Sequence, residues 1–129
     1  MTNALKIETF PYFFAIAKIR NPASINWKSP FVFVGKTDDE LSLVALESEV
    51  PSDAYPVDRG YRMMRVAGTL DMSLTGILAR ISKVLADEEI PIFAVSTYNT
   101  DYILVKSHTF KNAVQARSRA GYLVTIEIS

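Results

Sequence analysis

The sequence predicts an α+β sandwich, a sheet covered on one face by two helices. Three observations predict it. Residues 76–89 carry helical periodicity. Two β-patterned runs, 92–98 and 102–105, flank a polar turn at Asn99-Thr100-Asp101. Strand-like segments stand on either side of this block, at 63–70 and 122–128. With a second helix at about 109–120, the order is β-α-β-β-α-β, the split βαβ pattern of ferredoxin-like sandwiches. Such a sheet is antiparallel.

Each element has a local cause. Residues 1–9 are a polar lead, a short edge strand or a loose terminus around Leu5 and Ile7. Residues 11–19, rich in aromatic and β-branched side chains, read as a buried strand closed by Asn21-Pro22. Residues 23–30 are too short and irregular for a full helix, and Trp27 reads as a packing residue. Residues 31–34 and 41–46 form a hairpin around Gly35-Lys36-Thr37-Asp38-Asp39. Pro51, Pro56 and Gly60 mark a linker over residues 48–61.

The helix over 76–89 rests on Ile77, Leu78, Ile81, Val84 and Leu85, which fall on one stripe opposite Arg80, Lys83, Asp87 and Glu88. Ser73 or Thr75 can cap its start, and Pro91 stops it. Ser107 or Thr109 caps the second helix, whose stripe is Phe110, Ala113, Val114 and Ala120, with Arg117 interrupting it. Gly121 suits the position after its end. Residues 10–61 repeat the pattern in reduced form: strand, short crossover, hairpin, linker. Thr37-Asp38 before Leu41 echoes Thr100-Asp101 before Tyr102. The division expected is therefore 1–61 and 62–129.

Composition narrows the function. Of 129 residues, 49% are hydrophobic, enough to fill a core, and no apolar run approaches the roughly 18 residues of a membrane span. No basic region followed by an apolar run opens the chain, so a cytoplasmic protein is expected. There is no cysteine, which excludes disulfides, thiolate metal sites and thiol nucleophiles. Lys plus Arg equals Asp plus Glu, 14 each, and no basic run occurs. That removes the long-range field that recruits nucleic acid or anionic lipid. RNA-recognition motifs share the topology, and Phe93, Tyr98 and Tyr102 could supply rings, but the basic surface and the RNP pattern are missing.

Catalysis is not expected. His108 is the only histidine, and neither Ser107 nor Ser73 lies in a nucleophile-elbow context. No P-loop or GxGxxG motif occurs, and no cofactor is implied. Asp38-Asp39-Glu40 offers carboxylates, but successive strand residues point to opposite faces, so no metal site is expected there.

Three stretches resemble ACT domains: Val66-Ala67-Gly68-Thr69-Leu70-Asp71, Leu74-Thr75-Gly76-Ile77-Leu78 and Ser96-Thr97-Tyr98-Asn99-Thr100-Asp101-Tyr102. The chain looks most like a bacterial two-half ACT protein, and its second half is similar to the ACT domains of the eukaryotic cytosolic arginine sensors. Residues 31–51 resemble the first half, so the resemblance implies tandem ACT-like units with a reduced first unit. It further implies a non-catalytic regulatory module that binds a small ligand, most often an amino acid, and pairs into a homodimer. By that resemblance Asp71, Leu74, Gly76, Leu78, Thr97, Tyr98 and Asp101 line the ligand. Leu74 stands where the arginine sensors carry an acidic residue, so arginine specificity is not implied. Met72 and Arg117 also depart from the pattern.

The residues suit that role physically. The backbone N–H groups of Gly76, Ile77 and Leu78 would begin a helix without intrahelical partners and can take a carboxylate. Asp101, or the carbonyls of Thr97 and Tyr98, can accept from an ammonium group. Leu74, Leu78 and Tyr98 can shape an apolar pocket. Against this, Asp101 can be an ordinary turn residue bonding its own backbone. With no enzyme domain in the chain, the signal would pass to a separate regulated protein. The alternative is a homodimeric assembly module without a ligand.

Overall fold

The computed structural model describes residues 6–67, 83, 85–87, 89–110 and 123–127. Among them are eight strands: β1 Lys6–Thr9, β2 Phe14–Lys18, β3 Val32–Lys36, β4 Leu41–Leu46, β5 Val57–Ala67, β6 Phe93–Ser96, β7 Asp101–Lys106 and β8 Leu123–Glu127. The chain forms two compact units, Tyr12–Tyr61 and the combination of Met1–Pro11 with Arg62–Ser129.

In the unit Tyr12–Tyr61 the strand order is β3-β4-β2-β5. Counted within the unit, that is second, third, first, fourth, the order of a ferredoxin-like sheet. Single 3-10 turns, Pro22–Ser24 and Glu47–Glu49, stand where the crossover helices would be. The first turn is short for a local reason. Asn21 caps it through Oδ1, which accepts from Ala23 N at 3.0 Å, and the backbone is already extended at Ile25. Ile25 then enters the core with Ile19, Leu43 and Ala45, so one side chain does the work of a helical stripe. Trp27 does not pack as expected; it is 66% exposed.

The expected linker over 48–61 is corrected at its end, because β5 begins at Val57. Gly60, expected in the linker, sits within the strand at φ 84°. Two steps along β2, from Phe14 to Ile16, match three along β5, from Tyr61 to Asp58. The extra residue is a bulge, and glycine supplies the left-handed conformation it needs. The Gly60 N–H donates to Glu47 Oε2 at 2.6 Å, so the second 3-10 turn holds the bulge.

The other unit departs from the expectation in one strand. Its order is β6-β7-β5-β1-β8. The predicted sheet places its last strand beside its first; here β1 stands between β5 and β8. β1 runs antiparallel to β5 and parallel to β8, so the sheet is not wholly antiparallel. Residues 1–11 thus belong with the C-terminal unit, not with the N-terminal one that chain order suggested. Four residues are too few to announce a central strand, but their alternation suits it. Ile7 lies opposite Val66 and is 1% exposed. Glu8 faces the other way, and its Oε1 accepts from Arg65 Nε at 2.7 Å. The Arg65 guanidinium also lies 4.9 Å from the Phe10 ring centroid. Glu8, and then Tyr102, hold the Arg65 pKa above its usual value against the lowering effect of burial.

The core of this unit joins Ile7, Met64, Val66, Leu85, Ile90, Ile103 and Val105, with Ile92 and Phe110 against it. Of the predicted helical stripe, Leu85 is buried, while Lys83 and Asp87 are exposed and paired at 3.0 Å. Ile77, Leu78, Ile81 and Val84 lie outside the described residues. Glu89 adopts φ 59°, and the N–H groups of Glu89 and Ile90 donate to the carbonyls of Ala86 and Leu85 at 2.9 Å. This is a Schellman ending, with Ile90 packed beside Leu85. Ser107–Phe110 are helical, so the second helix starts two residues before the predicted 109. A central β1 makes Ile7→Ala a core truncation. It should cost about 2–5 kcal/mol in urea unfolding, whereas a loose terminus would lose less than about 0.5 kcal/mol.

Candidate functional site

The β6–β7 turn gathers the described part of the predicted site. Ser96 pairs with Asp101, leaving four residues to reverse the chain. Thr97 closes this turn twice: its N–H and its hydroxyl both donate to the Thr100 carbonyl, at 2.9 and 3.0 Å. The Thr100 N–H approaches Thr97 Oγ1 at 3.4 Å. Tyr98 and Asn99 form the tip, and Tyr98 is fully exposed. The Thr100 hydroxyl leaves the turn and donates to the Val66 carbonyl on β5 at 2.5 Å.

Asp101 was expected within the turn, but it is the first residue of β7. The tip is therefore one residue earlier than the sequence suggested. Along β7, alternation sends Asp101 to the face of Ile103 and Val105, both in the core. Asp101 is only 5% exposed, one of two buried polar residues among those described. A buried carboxylate is costly unless it is paired and hydrogen-bonded. Its neighbour Tyr102 faces the other way, toward Arg65 and Glu8.

Of the eight predicted ligand residues, the turn brings together Thr97, Tyr98 and Asp101. Asp71, Leu74, Gly76, Ile77 and Leu78 lie outside the described residues. Sequence reasoning missed Thr100, and the signal for it was a threonine at both ends of a four-residue turn. The other hairpin uses the same first position. Thr37 N donates to the Glu40 carbonyl at 2.9 Å, and Thr37 Oγ1 accepts from Asp39 N and Glu40 N at 3.1 and 3.2 Å. Thr37 thus corresponds to Thr97, not to Thr100 as the sequence echo suggested.

The remaining candidates are less organised. His108 is exposed in the first turn of its helix. Asp38, Asp39 and Glu40 are exposed in their turn, and among the described residues no group of acids and histidines is arranged to hold a metal ion. A cleft of about 430 Å³ in the unit Tyr12–Tyr61 is lined by Ile16, Lys18, Glu40 and Asp58, among others, and by none of the predicted ligand residues. No described helix is long and apolar enough to cross a membrane.

Comparison with known proteins gives this turn a context. Residues 57–116 match the family model of the ACT domain. A crystal structure of an Agobacterium tumefaciens protein is similar over nearly the whole length, with 29% identity, 99% of this chain and 97% of that one covered, and a TM-score of 0.87. A Vibrio cholerae protein of unknown function is 15% identical, with 90% and 89% covered and a TM-score of 0.70. Aspartate kinase from Clostridium acetobutylicum is 15% identical, with a TM-score of 0.68; the match covers 92% of this chain and 35% of the kinase. The last two show the fold. No curated protein matches the chain.

The turn geometry separates two roles. Thr97→Val removes both hydroxyl interactions within the turn and should cost about 1 kcal/mol in urea unfolding. Tyr98→Ala should change stability by no more than about 0.5 kcal/mol, because the ring touches solvent.

Proposed function

We propose that this ACT-domain chain is a non-catalytic regulatory module that binds a free amino acid beside the β6–β7 turn. One observation carries the reading: all eight predicted ligand residues fall inside the stretch matched to the ACT domain family. The burial of Asp101 supports it, because a carboxylate withdrawn from water at the foot of an exposed turn suits an ammonium group. The fold shared with an enzyme described as allosteric, the Clostridium acetobutylicum aspartate kinase, supports a regulatory role.

In this reading Asp101 accepts from the ligand's ammonium group. The α-carboxylate meets the N–H groups of Gly76, Ile77 and Leu78, with Gly76 permitting close approach. Leu74, Leu78 and Tyr98 surround the ligand side chain, and Asp71 completes the polar edge. An apolar Leu74 favours a small or uncharged amino acid over a basic one. The two units act as tandem ACT-like halves, the first reduced to 3-10 turns where helices would stand. The chain pairs with a second copy, acts in the cytoplasm, and passes its signal to a separate protein.

Thermal unfolding against each of the twenty amino acids tests this. A ligand at a hundredfold its dissociation constant adds about 2.7 kcal/mol, which raises the midpoint by on the order of 10 °C for a chain of this size. One amino acid or a chemically related few should produce the rise, and Asp101→Asn should abolish it. A flat response across the panel at millimolar concentration would overturn the ligand reading and leave a homodimeric assembly module.

A further inference from the structure

We infer that Thr100 is a positioning residue for the ligand site, the tie that fixes the β6–β7 turn against β5. The inference rests on the amino-acid-binding reading above. It follows from how the hydroxyls of the turn are used. Thr97 spends its hydroxyl inside the turn, donating to the Thr100 carbonyl and facing the Thr100 N–H. That makes the four residues a stiff unit but does not attach them to anything else. β6 and β7 stop at Ser96 and Asp101, so the strand ladder holds the turn only at its base.

Thr100 supplies the attachment. Its hydroxyl reaches 34 residues back along the chain to the Val66 carbonyl, a 2.5 Å bond that is partly shielded from water. Val66 is itself well held: its side chain is 2% exposed, and it sits opposite Ile7 of β1. The tie therefore connects the mobile-prone end of a hairpin to a strand bonded by β7 on one edge and β1 on the other. Val66 also lies five residues before Asp71 in the sequence. Tyr98 lies two residues before Thr100 and Asp101 directly after it, one fully exposed and one buried. A turn held this way presents both in a fixed relation before any ligand arrives, and such preorganisation lowers the entropy lost on binding.

The chemistry distinguishes two substitutions. Thr100→Val keeps the shape and removes the donor; Thr100→Ser keeps the donor. Calorimetric titration of the full chain with each of the twenty amino acids, together with backbone order parameters for residues 97–101, reads the effect. Thr100→Val should weaken binding about fivefold to tenfold, the value of one hydrogen bond. It should also lower the order parameters of the turn from about 0.85 toward 0.6. Thr100→Ser should restore both. A merely structural role would lower the unfolding midpoint without changing affinity in the folded protein, and that result would overturn the inference. Unchanged order parameters in Thr100→Val would overturn it equally. If the unmodified chain binds none of the twenty, the binding reading fails on its own terms, and the order parameters alone decide whether Thr100 holds the turn.

Discussion

The C-terminal unit depends on the pairing of β1 with β5. β1 has only four residues, yet it meets a strand on each edge. Without it, β5 and β8 would each expose a row of backbone groups needing partners. Its two faces are used differently. Ile7 closes the core beside Val66, and Glu8 fixes Arg65 through a charge-assisted bond on the other face. β5 is thereby restrained from backbone and from side chains. Everything that refers to β5, the β6–β7 turn included, inherits that restraint.

The link to function runs through this strand. A hairpin tip is usually the least ordered part of a sheet, because its backbone bonds end at the base. Here the tip closes on itself through Thr97 and is tied to β5 through Thr100. An exposed aromatic ring and a buried acidic residue stand three residues apart in this tied turn. Free amino acids pair a charged head with a variable side chain. A buried acid and an accessible ring in one turn suit both parts, and that match supports the proposed ligand reading.

Much of this was legible from residue pattern. The β6–β7 hairpin, the β3–β4 hairpin, the burial of Leu85 and the absence of a full helix over 23–30 all follow from periodicity and turn chemistry. What the pattern hid has physical causes. β1 is too short for alternation to stand out, and its central place is decided by non-local pairing. Gly60 resembles a linker glycine because a bulge and a turn ask for the same left-handed backbone. Asp101 resembles a turn residue by composition; only the pairing with Ser96 places it in the strand and brings its burial to light. Glu89, in the conformation where glycine is favoured, gave no signal at all. Family resemblance and turn chemistry together pointed to Thr97, Tyr98 and Asp101, which the turn brings together; the threonine pair marked the turn itself, but the tie from Thr100 was hidden because it needs a partner 34 residues away.

The most direct test of the central claim is a nuclear magnetic resonance titration of the isotopically labelled chain with the twenty amino acids. The account predicts saturable shifts for one amino acid or a related few, concentrated in the amides of Thr97, Tyr98, Thr100 and Asp101 and in residues 71–78. Saturable shifts confined to the unit Tyr12–Tyr61, or no shifts in the turn at any concentration, would contradict it.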